Sequence, residues 1–518
     1  MSMLSSVLAT TGWAARKTLI AGSLAFIGLV VGVGCVLFPA GVPFGIVGLA
    51  GLILLWTLPD LRSVPSRLAR RSFVPFLVAT VCTPFYLAII IPGVPFISVR
   101  RFFLYIFVGA LVITICGSSK YRTLLINRLK AAPLLFYMTA GYYALIVATF
   151  PVSVAPSSTI NVLVQYTMTW YLPFLAVIIF VEKGANIVGL LKVMLFCMII
   201  DFVLGGIEFH VQKPFMFQLL PASSRAYIIE NTPMYAGAET GSFRDGIYRA
   251  TAAYSIGLSW AEMVAMVAPV AAYFLIHGDS GRHRLLGLVS FIAGFLSLTY
   301  SGSRGGYVCS MVALSVFLII WAIRKIRLHP ESLSGGIALF LTSGTVTIVA
   351  AAVTFVNKFH VMVFGNGTTQ LSDQGRVQQW ATAWPKIFQS PLWGHGFGTA
   401  SVAGEFVTGG RGQATMDDYR INLLLDNGVL GFGLFFGMIA VAVWISFRIY
   451  ITNKSPLAAT GAAIGCALIA YAVDRTTTSQ TENNTLLLIL IGLVFALQRV
   501  TTSGNTAPEQ VNYRTGAP

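Results

Sequence analysis

The chain has 518 residues, of which 56% are hydrophobic and only 10% charged, with a mean hydropathy of +0.78. An ordinary soluble domain carries about 25% charged residues, so this composition excludes a water-soluble globule. The formal net charge of +16 raises nucleic acid as a partner, but the placement of the basic residues along the chain argues against it.

Apolar runs of about 20 residues, the length that crosses a bilayer as a helix, recur from end to end. Spans are predicted at about 18–38, 41–58, 73–92, 102–117, 132–150, 164–181, 187–206, 252–276, 286–300, 307–323, 336–356, 428–447, 458–473 and 485–498. Helices are the natural spanning form, because lipid offers no partner for unpaired backbone groups. A membrane β-barrel would show short alternating segments instead. The predicted fold class is therefore all-α: a polytopic transmembrane helix bundle of about 12–14 spans with a large periplasmic loop.

Six regions follow in chain order. Residues 1–206 are N-terminal transmembrane helices, and 207–251 form a periplasmic loop. Residues 252–356 are transmembrane helices interrupted by the turn Ser303-Arg304-Gly305. Residues 357–427 make the large periplasmic loop, expected to be catalytic. Residues 428–498 are C-terminal transmembrane helices, and 499–518 a polar cytoplasmic tail expected to be disordered. The first span lacks a cleavage site and is expected to be an uncleaved anchor.

Alternate connections hold most of the Lys and Arg, among them Arg62, Arg67, Arg70 and Arg71, then Lys120, Arg122, Arg128 and Lys130, then Arg324, Lys325 and Arg327. The positive-inside rule then puts both termini in the cytoplasm. The basic excess is mainly a topology signal, with attraction to anionic membrane lipid as a secondary effect and no nucleic acid partner. All six cysteines fall inside or at the end of predicted spans. No disulfide framework and no metal-ligand spacing is implied.

The polar landmarks gather on the predicted outer face. Arg249 opens Arg249-Ala250-Thr251-Ala252-Ala253-Tyr254 just before a span. A guanidinium fork there suits a diphosphate, and equally suits lipid headgroups. Arg304 sits in a glycine-rich turn between two spans. It either binds an anion or pairs with a carboxylate such as Glu262 or Asp417. Arg376, Trp380 and Trp384 recur at helical spacing, which puts all three on one helix face. Such a face presents Arg to a lipid diphosphate and indoles to a sugar, or is a plain interfacial helix. His395, in Gly394-His395-Gly396-Phe397-Gly398, is a possible acid or base, or an incidental loop residue.

Asp417 and Asp418 precede Tyr419-Arg420-Ile421-Asn422 and the Gly428-Val429-Leu430-Gly431 span start. A carboxylate there can take a proton from a sugar hydroxyl, two can hold a divalent cation, and either can cap a helix. Asp418 suits the cap and Asp417 the chemistry, and Asp418 is also expected to bind substrate. Tyr254 and Tyr419, with Trp380 and Trp384, are candidate stacking surfaces for sugars or a lipid stem. The fourth landmark is Asp474-Arg475 with Glu482-Asn483-Asn484, between the last two spans.

In this order the motifs resemble the O-antigen ligase and O-antigen (exopolysaccharide) polymerase family of bacterial integral membrane proteins, most strongly over residues 249–445. The resemblance implies a C-type glycosyltransferase fold in the inner membrane and a metal-independent reaction with no cofactor. The implied donor is an undecaprenyl-diphosphate-linked glycan. The implied acceptor is lipid A core in ligases and another glycan repeat unit in polymerases, where a chain-length regulator is a further possible partner. It also implies that the arginines matching Arg249 and Arg376 hold the diphosphate, with Arg304 behind them. The ligase pattern has His-Asn where this chain has Asp417-Asp418, which leaves the role of base to a carboxylate and looks more like the polymerase branch. The expected activity is polymerisation of lipid-linked repeat units, with ligation as the alternative. A lipid-linked glycan flippase is the alternative from another class. It would carry charged residues deep in its spans, where only Lys192, Asp201 and Glu262 are candidates, and many transporters show internal repeats, of which none is evident.

Overall fold

The computed structural model describes residues 60–61, 63–84, 86–89, 97–231, 243–244, 246–331, 333–356, 368–404 and 418–503. The predicted spans at 18–38 and 41–58 and the candidate base Asp417 lie outside the described residues.

The chain is an all-α polytopic membrane protein. Its helices, in order, are α1 (Ser66–Cys82), α2 (Val99–Cys116), α3 (Ser119–Leu129), α4 (Pro133–Ala148), α5 (Pro156–Phe180), α6 (Gly184–Val211), α7 (Gly257–His277), α8 (Gly281–Ser301), α9 (Arg304–Leu328), α10 (Leu333–Phe355), α11 (Thr368–Gln389), α12 (Tyr419–Thr452), α13 (Thr460–Asp474) and α14 (Asn484–Ser503). Among the described residues, ten helices are long and apolar enough to cross a membrane. Two short antiparallel pairs accompany them, Ala88–Ile89 with Ile97–Ser98 and Phe243–Arg244 with Ile247–Tyr248.

The twelve predicted spans within the described residues each fall on a helix, with shifted ends. The span expected at 73–92 is α1, which stops at Cys82. Pro84 is the reason: a residue before proline avoids the helical region, and Thr83 is extended at φ −121°, ψ 131°. The span expected from 252 starts at Gly257, because the preceding residues are tied to two carboxylates, as described below.

The centre of the bundle is α7, buried without a break from Ser259 to Phe274. A helix apolar all round belongs inside, and α7 packs against α8, α9 and α13. Glycines allow the close approaches. A Cβ at Gly287 would strike the α7 backbone at Ala271 and Phe274, and one at Gly306 would strike Ala261.

The join between α8 and α9 is written in Ser301-Gly302-Ser303-Arg304-Gly305-Gly306. Gly302 takes the left-handed conformation at φ 59° and ends α8, the ordinary use of glycine after a helix. Ser303 then caps α9, its Oγ accepting from Gly306 N at 3.3 Å. A second break lies in α12, where Gly428 at φ 63°, ψ −166° divides a first arm, 419–427, from the long apolar part. The segment at Pro391 and Leu392 enters this break, and Val429 N donates to the Pro391 carbonyl at 2.8 Å.

Candidate functional site

One end of the bundle collects the polar landmarks. The Arg249 guanidinium lies on the α8–α9 turn, its Nε donating to the Ser301 carbonyl at 3.0 Å. Its backbone is fixed on both sides. Ala250 N donates to the Tyr300 carbonyl at 2.9 Å. The Glu208 carboxylate, at the end of α6, accepts from Tyr248 Oη at 2.9 Å, Thr251 N at 3.0 Å and Ala252 N at 2.8 Å. Ala252 is held at φ 51°, a left-handed conformation that a residue with a Cβ seldom adopts. Glu208 is 3% exposed. A buried carboxylate is tolerable only when its acceptor capacity is used, and this one is used to shape the strand-to-helix loop that carries Arg249. Arg304 opens α9 three residues after Ser301. Arg249 and Arg304 are thus brought to one turn.

A second cluster adjoins the turn. Glu262 and Arg475 form a buried ion pair, at 1% and 0% exposure. Asn483 Nδ2 donates to Glu262 Oε2 at 2.8 Å and to the Ser259 carbonyl at 2.7 Å, and Arg475 also donates to the Gln480 carbonyl. Glu262, weighed as a partner for Arg304, therefore has its carboxylate taken by Arg475 and Asn483. Burial opposes the Arg475 charge, yet Glu262, Tyr471 and Asp474 around it hold its pKa above the ordinary arginine value. The guanidinium lies 4.5 Å from the Tyr471 ring centre and 5.1 Å from that of Tyr419. A Cβ at Gly305 would come within 3.7 Å of Asp474 Oδ1, and Ser255 N donates to Glu482 Oε1 at 3.3 Å. The loop from Asp474 to Asn484 is thus the hub that joins the start of α7, the α8–α9 turn and the start of α12.

The third cluster is the start of α12 with α11. Asp418 is the N-cap of α12, with Oδ1 accepting from Arg420 N at 2.9 Å. It also takes Arg420 Nε at 3.0 Å, Arg420 Nη2 at 2.7 Å and Trp380 Nε1 at 2.9 Å. That carboxylate is 1% exposed and fully committed to structure. Trp380, Ala383 and Ile387 of α11 pack on Ile421 and Leu425, so α11 is docked on the first arm of α12. Trp380 is spent on this contact, while Trp384 stays half exposed and touches Phe388 edge-on. Arg376 stands one turn before Trp380 on the same helix.

One expectation needs correction, at Tyr254, and His395 is placed in its turn. Tyr254, expected as a stacking surface, is 3% exposed. Burial raises its hydroxyl pKa well above the usual value, and its ring faces the bundle interior rather than a substrate. His395 lies in a turn whose three glycines have φ of 70°, 107° and 76°. Its backbone N donates to the Leu425 carbonyl at 2.7 Å and its Nδ1 lies 3.3 Å from the same oxygen. The turn serves to grip the end of the first α12 arm, and the histidine shares in that grip.

Sequence reasoning passed over three residues. Glu208 carried no motif, only a carboxylate at the end of a span. Arg475 was seen as part of a landmark, but its partner 213 positions away was not. Asp426 accepts from Thr399 N at 2.9 Å and Ala400 N at 2.7 Å; its position two residues before Gly428 was the available signal.

Residues 288–436, from α8 through the first part of α12, match the family model described as O-Antigen ligase. Over this stretch the chain is similar to O-antigen ligases. The match covers the α8–α9 turn, Arg304, Arg376 and the first arm of α12, while Arg249 and the Asp474–Asn484 hub lie outside it. No curated protein matches the chain. Together with the ten helices long and apolar enough to cross a membrane, the match fits a multi-pass membrane protein. Among the described residues, no group of three or more His, Cys, Asp or Glu is placed to hold a metal ion.

Proposed function

We propose that the protein polymerises oligosaccharide repeat units carried on undecaprenyl diphosphate, at the periplasmic face of the bacterial inner membrane. The observation that carries this reading is the Arg249 guanidinium held on the α8–α9 turn, with Arg304 opening the next helix. Two cationic forks at the mouth of a membrane bundle suit a lipid-anchored diphosphate, the one part of such a donor that must be recognised at the membrane surface. Arg376, on the helix docked over the arm of α12, is the third cation of the reading.

In the reaction, an acceptor hydroxyl attacks the anomeric carbon of the donor sugar. A new C–O bond forms and the bond to the diphosphate oxygen breaks. The electron pair goes to the leaving diphosphate, where Arg249 and Arg376 stabilise the growing charge. The hydroxyl proton goes to the Asp417 carboxylate. The leaving group is already an anion, so the step needs no general acid, and we propose that it needs no metal.

Asp417-Asp418 in place of the ligase His-Asn favours polymerase over ligase, in which lipid A core would be the acceptor. The test is to incubate the purified protein in nanodiscs with its lipid-linked repeat unit. A ladder of lengthened lipid-linked products is expected. Transfer only to added lipid A core, without a ladder, identifies a ligase. Formation of neither product refutes transferase activity on this donor.

A further inference from the structure

Beside the clusters described above lies a cavity of about 230 Å³. Its wall includes Tyr166 and Phe397, and one face of the first α12 arm, Tyr419, Asn422, Leu423 and Asp426. These four fall at i, i+3, i+4 and i+7, the spacing of one helix face. The opposite face, with Ile421 and Leu425, is the one buried against α11. The arm therefore packs on α11 with one face, and on the other the Asn422 amide and the Asp426 carboxylate line the cavity beside the core residues Tyr419 and Leu423.

We propose that this cavity is a subsite for a single neutral or amino sugar ring of the glycan substrate. The proposal rests on the glycosyl-transfer reading and names a binding place within it. Size is the first argument. The space holds roughly eight waters at ~30 Å³ each, which is the bulk of one ring with its hydroxyls.

Chemistry is the second argument. Tyr166 and Phe397 meet edge to face at 4.9 Å and give the apolar surface that the C–H face of a sugar prefers. Asn422, Asp426, Ser401 and Thr481 give donors and acceptors for hydroxyls. Asp426 cannot turn away, because Thr399 N and Ala400 N both hold its Oδ1. Charge is the third. Among the described lining residues no side chain is cationic and one is a carboxylate. The subsite therefore disfavours a uronate or a phosphate and accepts a neutral or amino sugar. A fourth observation is the π-helical turn Thr167–Tyr171 directly after Tyr166. Such turns inside a helix recur at functional sites.

Saturation-transfer NMR on the full-length protein in nanodiscs tests this, with glucose, galactose, N-acetylglucosamine, rhamnose and glucuronic acid as separate probes. At least one of the neutral sugars is expected to bind and glucuronic acid is not. Ser401→Trp fills the cavity and is expected to abolish the signal. Asn422→Ala removes one hydrogen-bonding group and is expected to weaken binding about fivefold, with thermal unfolding showing that it folds. In the transfer assay, a raised KM for the acceptor alone in Asn422→Ala assigns the ring to the acceptor, and a raised KM for the donor alone assigns it to the donor. No binding by any neutral sugar overturns the proposal, as does binding unchanged in both variants. Binding that depends on the cavity in a protein that transfers no glycan leaves the subsite standing and removes the glycosyl-transfer reading instead.

Discussion

Arg249 is the residue on which the account turns, and its surroundings make sharp demands. Its Nε donates to the Ser301 carbonyl, which fixes the plane of the guanidinium on the α8–α9 turn. Arg249→Ala is expected to remove nearly all transfer with protein levels unchanged. Arg249→Lys is expected to do little better, because an ammonium cannot keep the Ser301 bond and offer two parallel donors. Full activity in the lysine variant would reduce the residue to an interfacial charge. Glu208→Gln should lower activity too, since an amide cannot accept from all of Tyr248, Thr251 and Ala252 at once, and buried donors left unpaired cost about 1–3 kcal/mol each.

Asp417 and Asp418 separate at the same scale. Asp418 is consumed by Arg420 and Trp380, so Asp418→Asn should act through stability, and only in part because asparagine also caps helices. Asp417→Asn should keep donor binding and slow transfer by roughly 10²–10⁴-fold, the usual worth of a positioned base. Turnover and donor affinity measured on both variants check this. Near-normal turnover in Asp417→Asn would remove the base assignment.

At the scale of elements, the site end is held by a buried ion pair. Breaking such a pair from one side leaves a charge without compensation and costs about 3–5 kcal/mol. Glu262→Met is therefore expected to lower thermal stability strongly, and the double variant Glu262→Met with Arg475→Met to recover much of the loss. A double variant no more stable than the single one would mean that the pair is not the unit. This pair also marks the limit of what the sequence shows. The α8–α9 turn was legible because stop and start signals, Gly302 and Ser303, are local chemistry. So was the face of α11, because helical spacing is local. The Glu262–Arg475 pair, the Glu208 clamp and the cavity-facing side of the α12 arm depend on residues far apart in the chain, and no periodicity encodes them. The break at Gly428 was half legible. The glycine was visible as a span start, but not that Pro391 and Leu392 would occupy the space that its missing side chain leaves.

At the scale of the whole molecule, the bundle brings the Arg249, Arg475 and Asp418 clusters to one end, and the proposed function requires that end to face the periplasm. The described cysteines are all buried, so with Cys35 replaced a new one gives a clean readout. Gln378→Cys, on an exposed position of α11, should label with a membrane-impermeant maleimide in intact spheroplasts. Labelling only after the membrane is opened would invert the topology and place the site in the cytoplasm.

The central claim is that a sugar–diphosphate bond is broken at this end of the bundle, rather than a glycolipid being moved past it. The most direct measurement is mass-spectrometric counting of free undecaprenyl diphosphate and of new glycosidic linkages, in purified protein given lipid-linked repeat units with chelator present. The account predicts one free diphosphate lipid for every linkage formed, undiminished by the chelator and absent in Arg249→Ala. Movement of intact glycolipid across the vesicle membrane with no free diphosphate lipid would contradict it and make the protein a transporter.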